Sequence, residues 1–232
     1  MEMIVTRFNP SSNGPLHLGH IFTLLVNEQF AHQSGGKFII RFDDVTPPSF
    51  SKRTEKIMEV QRETIEWLNI KVDEWIVESA ILAEVRSKLD KLGHVYVNDF
   101  GYHELPLYTR HINTSWLAFP YVPQQTAERV VMDNMIGATH LIRGEEFALE
   151  YSLYRYYCDK FNFLHPKFIF LPRMIGKYGD ISKTAGGYTI DGLRGDGYSP
   201  SEVIELVEKS CLNWPPNGWS LHNLKREPRL NL

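Results

Sequence analysis

Two histidines three residues apart, His17 and His20, close a loop rich in Pro, Gly and Ser, where a helix is due to begin. A helix start favours anions, because unpaired backbone N–H groups and the helix dipole both attract negative charge. Residues i and i+3 share a helix face, so both imidazoles can address one ligand. Gly19 between them lets a flat or phosphorylated ligand approach the backbone. The chemistry this suits is the holding of a nucleotide triphosphate. Taken alone, the pair reads sooner as a helix start with solvent-exposed imidazoles. Arg7 stands just before the loop, and its planar fork can hold a carboxylate bidentately.

The elements that must position these residues follow from the apolar pattern. Met3 to Thr6 reads as a buried strand, and Ile21 to Gln33 has helical spacing ended by Gly35 and Gly36. Lys37 to Phe42 is a second strand with Asp43 and Asp44 at its carboxyl edge. Ser51 to Leu68 is amphipathic, Ile70 to Val77 holds a short strand, Ala80 to Leu92 is a helix, and His94 to Val97 is a strand. Ala138 to Arg143 and Lys167 to Leu171 are further strands, with a helix from about Glu145 to Phe161 between them. A Gly/Lys-rich loop, Gly176 to Gly187, carries Ser182 and Lys183, and Ser199 to Leu212 opens on a helix-start signal. Strands alternating with helices imply an α/β fold, a Rossmann-like parallel sheet with helices on both faces.

The chain divides as residues 1–97, the first half of that domain; 98–125, a short insertion of surface loops; 126–198, the second half with the lysine loop; and 199–232, a short C-terminal helical segment and tail. The 232 residues carry 25 Lys and Arg against 28 Asp and Glu, so no basic excess advertises non-specific nucleic-acid binding. The two cysteines, Cys158 and Cys211, lie far apart without a CxxC, so neither a structural zinc nor a disulfide framework is expected, and both read as buried side chains. No leader-like segment and no apolar run of membrane-spanning length is seen, which makes the cytoplasm the expected compartment and a membrane partner unexpected.

Four blocks together carry a resemblance. Thr6 to His20, Phe38 to Pro48, Thr139 to Glu146 and Asp180 to Thr184 occur in the order of the class I aminoacyl-tRNA synthetases, and they look like the glutamyl/glutaminyl group. The resemblance implies an aminoacyl-adenylate-forming ligase. ATP and an amino acid, most readily glutamate, give the adenylate and pyrophosphate, and the acyl group then passes to an acceptor. It implies catalytic roles for His17, His20 and Lys183. ATP binding would fall to these three with Gly19 and Ser182, and Mg2+ would bridge the phosphates. It implies an amino-acid pocket in which Arg7 and Ser11 bind the substrate, Asp43 holds the α-ammonium and Arg143 faces the substrate. No protein metal site is implied.

The departures are as informative. A tyrosine and an asparagine that line the pocket in glutamyl enzymes correspond to Gln125 and Arg129 here. The added arginine favours an acidic substrate or a phosphate, or pairs with Glu128. Asp180 stands where the lysine loop usually opens on a basic or apolar residue. The segment 98–125 is short for gripping a tRNA acceptor end and holds no cysteine cluster of the glutamyl-Q type. No anticodon-binding domain is expected. The acceptor is therefore expected to be a small molecule, a carrier or a modified nucleotide. A glutamyl-Q-type tRNA-modifying enzyme, or a catalytically silent paralogue that binds amino acid or nucleotide, are the alternatives.

Overall fold

A computed structural model describes residues 3–45, 52–93, 121–171, 175–176, 179–180 and 189–210. Five strands form one sheet: β1 (Val5–Phe8), β2 (Lys37–Phe42), β3 (Glu74–Val77), β4 (His140–Gly144) and β5 (Lys167–Leu171), in the order β3-β2-β1-β4-β5. Every neighbouring pair is parallel, with Arg7 beside Ile39 and Arg143 beside Phe170. Parallel strands need crossover connections, and helices supply them. They are α1 (Leu18–Gln33), α2 (Lys52–Trp67), α3 (Glu78–Lys91), α4 (Tyr121–Met135) and α5 (Tyr151–Phe161), followed by α6 (Ile190–Gly195) and α7 (Pro200–Ser210).

Side chains alternate across the pleat, so the sheet has two apolar faces. Phe38, Ile40 and Phe42 of β2 join Leu24, Leu25 and Phe30 of α1, with Val203 and Val207 of α7, in one core. Leu141 and Phe168 face the other way and join Val85 and Leu89 of α3, Val130 and Val131 of α4, and Leu153 and Tyr157 of α5. The expected helices on both faces of a parallel sheet are thus present.

Several boundaries differ from the sequence reading. The first strand runs to Phe8 rather than ending at Thr6, because its ladder with β2 continues through Phe8 and Ile40. The segment expected to be helical from Glu145 begins as a 3-10 turn, Glu145–Glu150, before α5 starts. The Arg143–Glu150 ion pair spans that tighter turn at 2.9 Å. The end of the expected loop segment, 121–125, is already the start of α4. That helix escapes a hydrophobicity reading because Glu128 and Asp133 interrupt its buried side. The expected strand at His94 to Val97 and most of the 98–125 segment lie outside the described residues.

Gly36 fixes where α1 hands over to β2. A Cβ there would lie 2.0 Å from the carbonyl oxygen of Ile4, which already accepts from the N–H of Lys37 at 2.8 Å. Neither backbone can move without breaking the β1–β2 ladder. Gly36→Ala is expected to cost about 1–3 kcal/mol or more, read as a lower urea midpoint with unchanged slope.

Candidate active site

The strand order reverses between β1 and β4: the chain runs outward from β1 to β3, then returns beside β1 and runs outward to β5. Loops leave such a switch point toward opposite faces and open a crevice at the carboxyl ends of the strands. The loop after β1 lies at this crevice. It is fastened to β2 by Ser12 N–H donating to the Asp43 carbonyl at 2.9 Å and Asp43 N–H donating to the Pro10 carbonyl at 3.0 Å. Gln61 of α2, buried beneath it, donates its amide to the carbonyls of Ser11 at 3.0 Å and Gly14 at 2.7 Å. Gln61 was not singled out by sequence, since a lone glutamine within an amphipathic helix carries no signal.

His17 is the N-cap of α1 and has extended backbone. Its N–H donates to Nδ1 of His20 at 3.3 Å, and its carbonyl accepts from the N–H groups of His20 and Ile21. Because Nδ1 of His20 accepts, the neutral ring carries its proton on Nε2. The two rings stack with centroids 3.7 Å apart, and His20 meets the Phe8 ring edge-on. A Cβ at Gly19 would stand 3.1 Å from the His17 ring, so the space that glycine leaves is used first by an imidazole of the protein itself. The first turn of α1 holds no acid, which keeps it suited to anions. Ser182 and Lys183 lie outside the described residues. The chain returns at Thr189, which is bridged to His17, while Ile190 N–H donates to the Leu16 carbonyl at 3.0 Å.

The predicted pocket residues gather at the same strand ends, and several have partners within the chain. Arg7 is buried, with Nε and Nη2 on the two carboxylate oxygens of Asp133 at 3.0 and 3.1 Å. The fork expected to take a substrate carboxylate thus holds an aspartate of α4. Asp133 also accepts from Nη1 of Arg41 at 2.6 Å and from the Tyr154 hydroxyl at 2.9 Å. Asp43, expected to face an ammonium, accepts from Nη2 of Arg129 at 2.8 Å. Glu128, the partner suggested for Arg129, has an arginine of α3 beside it. Adjacent helical residues point in different directions, and Glu128 is held by Arg86 of α3 at 2.9 Å. Gln125, half-buried, lies one helical turn before Arg129. Arg143 sits at the end of β4 with Nη1 on Glu150 and its guanidinium 3.8 Å from the Phe147 ring centre. Burial, and the nearby charges of Arg7 and Arg129, bring its pKa down to about 10 against the pull of Glu150.

Arg41, Asp133, Tyr154 and Glu78 form a buried network that sequence reasoning missed. Arg41 sits in a strand that otherwise reads as apolar, and only the fold shows what it meets. Its Nε is 2.8 Å from Oδ1 of Asn9 and 2.9 Å from Oε1 of Glu78. The single N–H points at Asn9, so Glu78 Oε1 accepts no hydrogen bond. Burial raises the Glu78 pKa to about 7, helped by Asp43 and Asp133 and opposed by Arg41 and Arg129. An acid whose folded pKa exceeds its ordinary 4.5 gives stability that is full below that value and is lost as the pH rises to about 7. Glu78→Gln is neutral throughout and escapes this loss. The variant is expected to match the parent near pH 4.5 and to exceed it at about pH 8 by up to ~3 kcal/mol, read by denaturation at both pH values. Cys158 is buried, and burial drives its thiol up to about 12, which makes it an inert core side chain. Cys211 lies outside the described residues. No helix among the described residues is long and apolar enough to cross a membrane.

Comparison with known proteins agrees with this geometry. Residues 3–113 match the family described as tRNA synthetases class I (E and Q), catalytic domain. The chain is 30% identical over 147 residues to a glutamate–tRNA ligase of Methanocaldococcus jannaschii, covering 62% of this chain and 24% of that protein. It is 24% identical to glutamate–tRNA ligase 1 of Rhizorhabdus wittichii, covering 92% of this chain and 62% of that protein. The match thus spans from about a quarter to about three-fifths of these curated relatives. The crystal structure of a glutamate tRNA ligase from Elizabethkingia meningosepticum, in complex with its amino acid, superposes with a TM-score of 0.70 at 20% identity, over 96% of this chain and 64% of that one, and so has the same fold. The signature loop, the sheet with its switch point and the match over residues 3–113 agree: the first half of this chain is similar to the catalytic domain of the class I tRNA synthetases (E and Q), and the chain shares the fold of a glutamate tRNA ligase.

Proposed function

We propose that this chain uses ATP to activate an amino acid, glutamate before others, as an aminoacyl-adenylate. It then passes the acyl group to an acceptor other than a tRNA acceptor stem gripped in the usual way: a small molecule, a carrier or a modified nucleotide. The observation that carries the first half is the convergence at one switch point of an acid-free helix start bearing two stacked histidines with Asp43, Arg129 and Arg143. In the reaction a substrate carboxylate oxygen attacks the α-phosphorus of ATP. The bond to the bridging oxygen breaks, and pyrophosphate leaves. Negative charge grows on the phosphate oxygens. Nε2–H of His20, backbone N–H groups of the helix start, His17 and Lys183 are the donors that stabilise it. Mg2+ enters on the phosphates of ATP, held through the nucleotide's own oxygens.

The short segment 98–125 supports the second half. The alignment with the Rhizorhabdus relative runs over 277 positions, more than the 232 residues here, so that relative carries residues this chain lacks. Amino-acid-dependent exchange of labelled pyrophosphate into ATP tests activation, run over the full amino-acid panel with and without RNA. Exchange with glutamate is the expected result. Absence of exchange with every amino acid, alongside ATP binding in calorimetry, would instead support a silent nucleotide-binding paralogue. Label transferred to bulk tRNA acceptor ends would overturn the acceptor reading.

A further inference from the structure

The loop between β1 and α1 is tied to α2 by Gln61. This side chain is 1% exposed and lies on the buried face of α2 with Thr64, Ile65 and Leu68. Its Nε2 donates to the carbonyls of Ser11 and Gly14. The reversed amide would set Oε1 against two carbonyl oxygens, so the orientation of the amide follows from its partners. C=O and N–H of a trans peptide point opposite ways. The Ser11–Ser12 peptide therefore bridges α2 and the end of β2: its carbonyl takes Gln61, and its N–H donates to the Asp43 carbonyl. The Gly14–Pro15 peptide has no N–H, so its buried carbonyl is the one polar group by which it can be held. His17 is three residues further on. On the way Pro15 has a fixed φ, Leu16 is buried, and the Leu16 carbonyl accepts from Ile190 N–H at the start of α6. The path from Gln61 to the two imidazoles has little slack.

We propose that Gln61 is a positioning residue for adenylate formation: by holding Ser11 and Gly14 against α2, it fixes the loop that brings His17 and His20 to the charge growing on the α-phosphate. The inference rests on the reading of this crevice as the site of ATP and the amino acid. Gln61 is too buried to meet a ligand, so it acts through the loop. Stability alone gives little reason for a glutamine here. Its Oε1 is buried and has no hydrogen-bond partner among the described residues, a cost that offsets part of what the two donated bonds contribute. An apolar side chain would continue the core that Ile65 and Leu68 join, and would carry no such cost. What it would not supply is the fixed shape of the loop. Donors aimed at developing charge act only when they are in place beforehand, and a misplacement of about 1 Å costs about a hundredfold in rate.

The test is pyrophosphate exchange on the full chain and on Gln61→Met, which keeps the length and the burial without a donor. Glutamate is the substrate, or the amino acid of the panel that the parent prefers. Rates are expressed per mole of protein that is native by near-UV circular dichroism, and kcat and KM for ATP are measured separately. In Gln61→Met, kcat is expected to fall at least about tenfold while KM for ATP stays within about threefold of the parent. Gln61→Leu repeats the measurement should the first variant fail to fold. A lower melting temperature with kcat reduced less than about tenfold would place Gln61 in stability alone and overturn the proposal. A loss that falls mainly on KM for ATP also overturns it, because the clamp would then serve ground-state binding. Failure of both variants to fold counts against it in the same way. In each of these cases the reading of the crevice stands. A parent that shows no exchange with any amino acid overturns both.

Discussion

Asp133→Asn is expected to destabilise the domain by about 3–5 kcal/mol, the cost of leaving buried charge without its partner. Asp133 is 1% exposed and accepts from Arg7, Arg41 and Tyr154. Burial by itself would raise its pKa, but the Arg41 and Arg7 guanidinium groups outweigh burial and hold the carboxyl well below the ordinary carboxylate range. An asparagine of the same shape keeps one acceptor for Arg7 Nε and Arg41 Nη1, turns its amide donor toward Arg7 Nη2 and the Tyr154 hydroxyl, and removes the negative charge. Both arginines would remain buried with only Glu78 to balance them. A domain stable by roughly 5–15 kcal/mol cannot spare much of that. The measurement is urea denaturation at neutral pH; a loss below about 1 kcal/mol would mean that the network is bridged in some other way. The pH dependence has a definite sign. Because the folded pKa is depressed, the stabilisation is present above the ordinary value near 3.8 and is lost as the pH falls below it. The asparagine variant should show a shallower loss of stability toward acid than the parent.

The second expected result concerns catalysis. Replacing His17 or His20 by Asn should lower the rate of pyrophosphate exchange by roughly two to three orders of magnitude, the loss typical of one transition-state donor. Asparagine is chosen because it separates the two jobs of this pair. At position 17 it is a better N-cap than histidine, so α1 should be no less stable. At position 20 its carbonyl can still accept from the backbone N–H of residue 17, as Nδ1 does now. A structural role would therefore leave exchange nearly intact, whereas removal of an imidazole donor would not. Melting temperatures within a few degrees of the parent, with exchange reduced at saturating ATP, are the expected pair of readings. Unchanged exchange in both variants would remove the histidines from the chemistry.

Much of the fold was legible because its elements obey simple periods. Lys37–Phe42 and Lys167–Leu171 are short apolar runs bounded by Gly or Pro, and both are strands at those residues. The start of α1 was legible from a Pro/Gly loop ahead of helical spacing. Helix α4 was hidden because its inward side carries Glu128 and Asp133, which break the apolar stripe that marks a buried face. Helix α6 was hidden by Gly192 and Gly195 within six residues.

The site divides along the same line. Residue types and order by themselves determined that His17, Gly19 and His20 belong to a helix start, and that Asp43 and Arg143 stand at strand ends. Both facts follow from local chain geometry, which sequence spacing encodes directly. Which charges face each other was decided only by the tertiary structure. Arg7 and Asp133 are 126 positions apart, and Asp43 and Arg129 are 86 apart. Whether an arginine meets a ligand or an aspartate depends on how α4 lies across the sheet, and burial makes that choice costly to reverse. The sequence alone therefore offered three basic groups and an acid for an amino acid to use. The fold joins two of those arginines to acids of the protein and joins the third to the very acid that an ammonium would need.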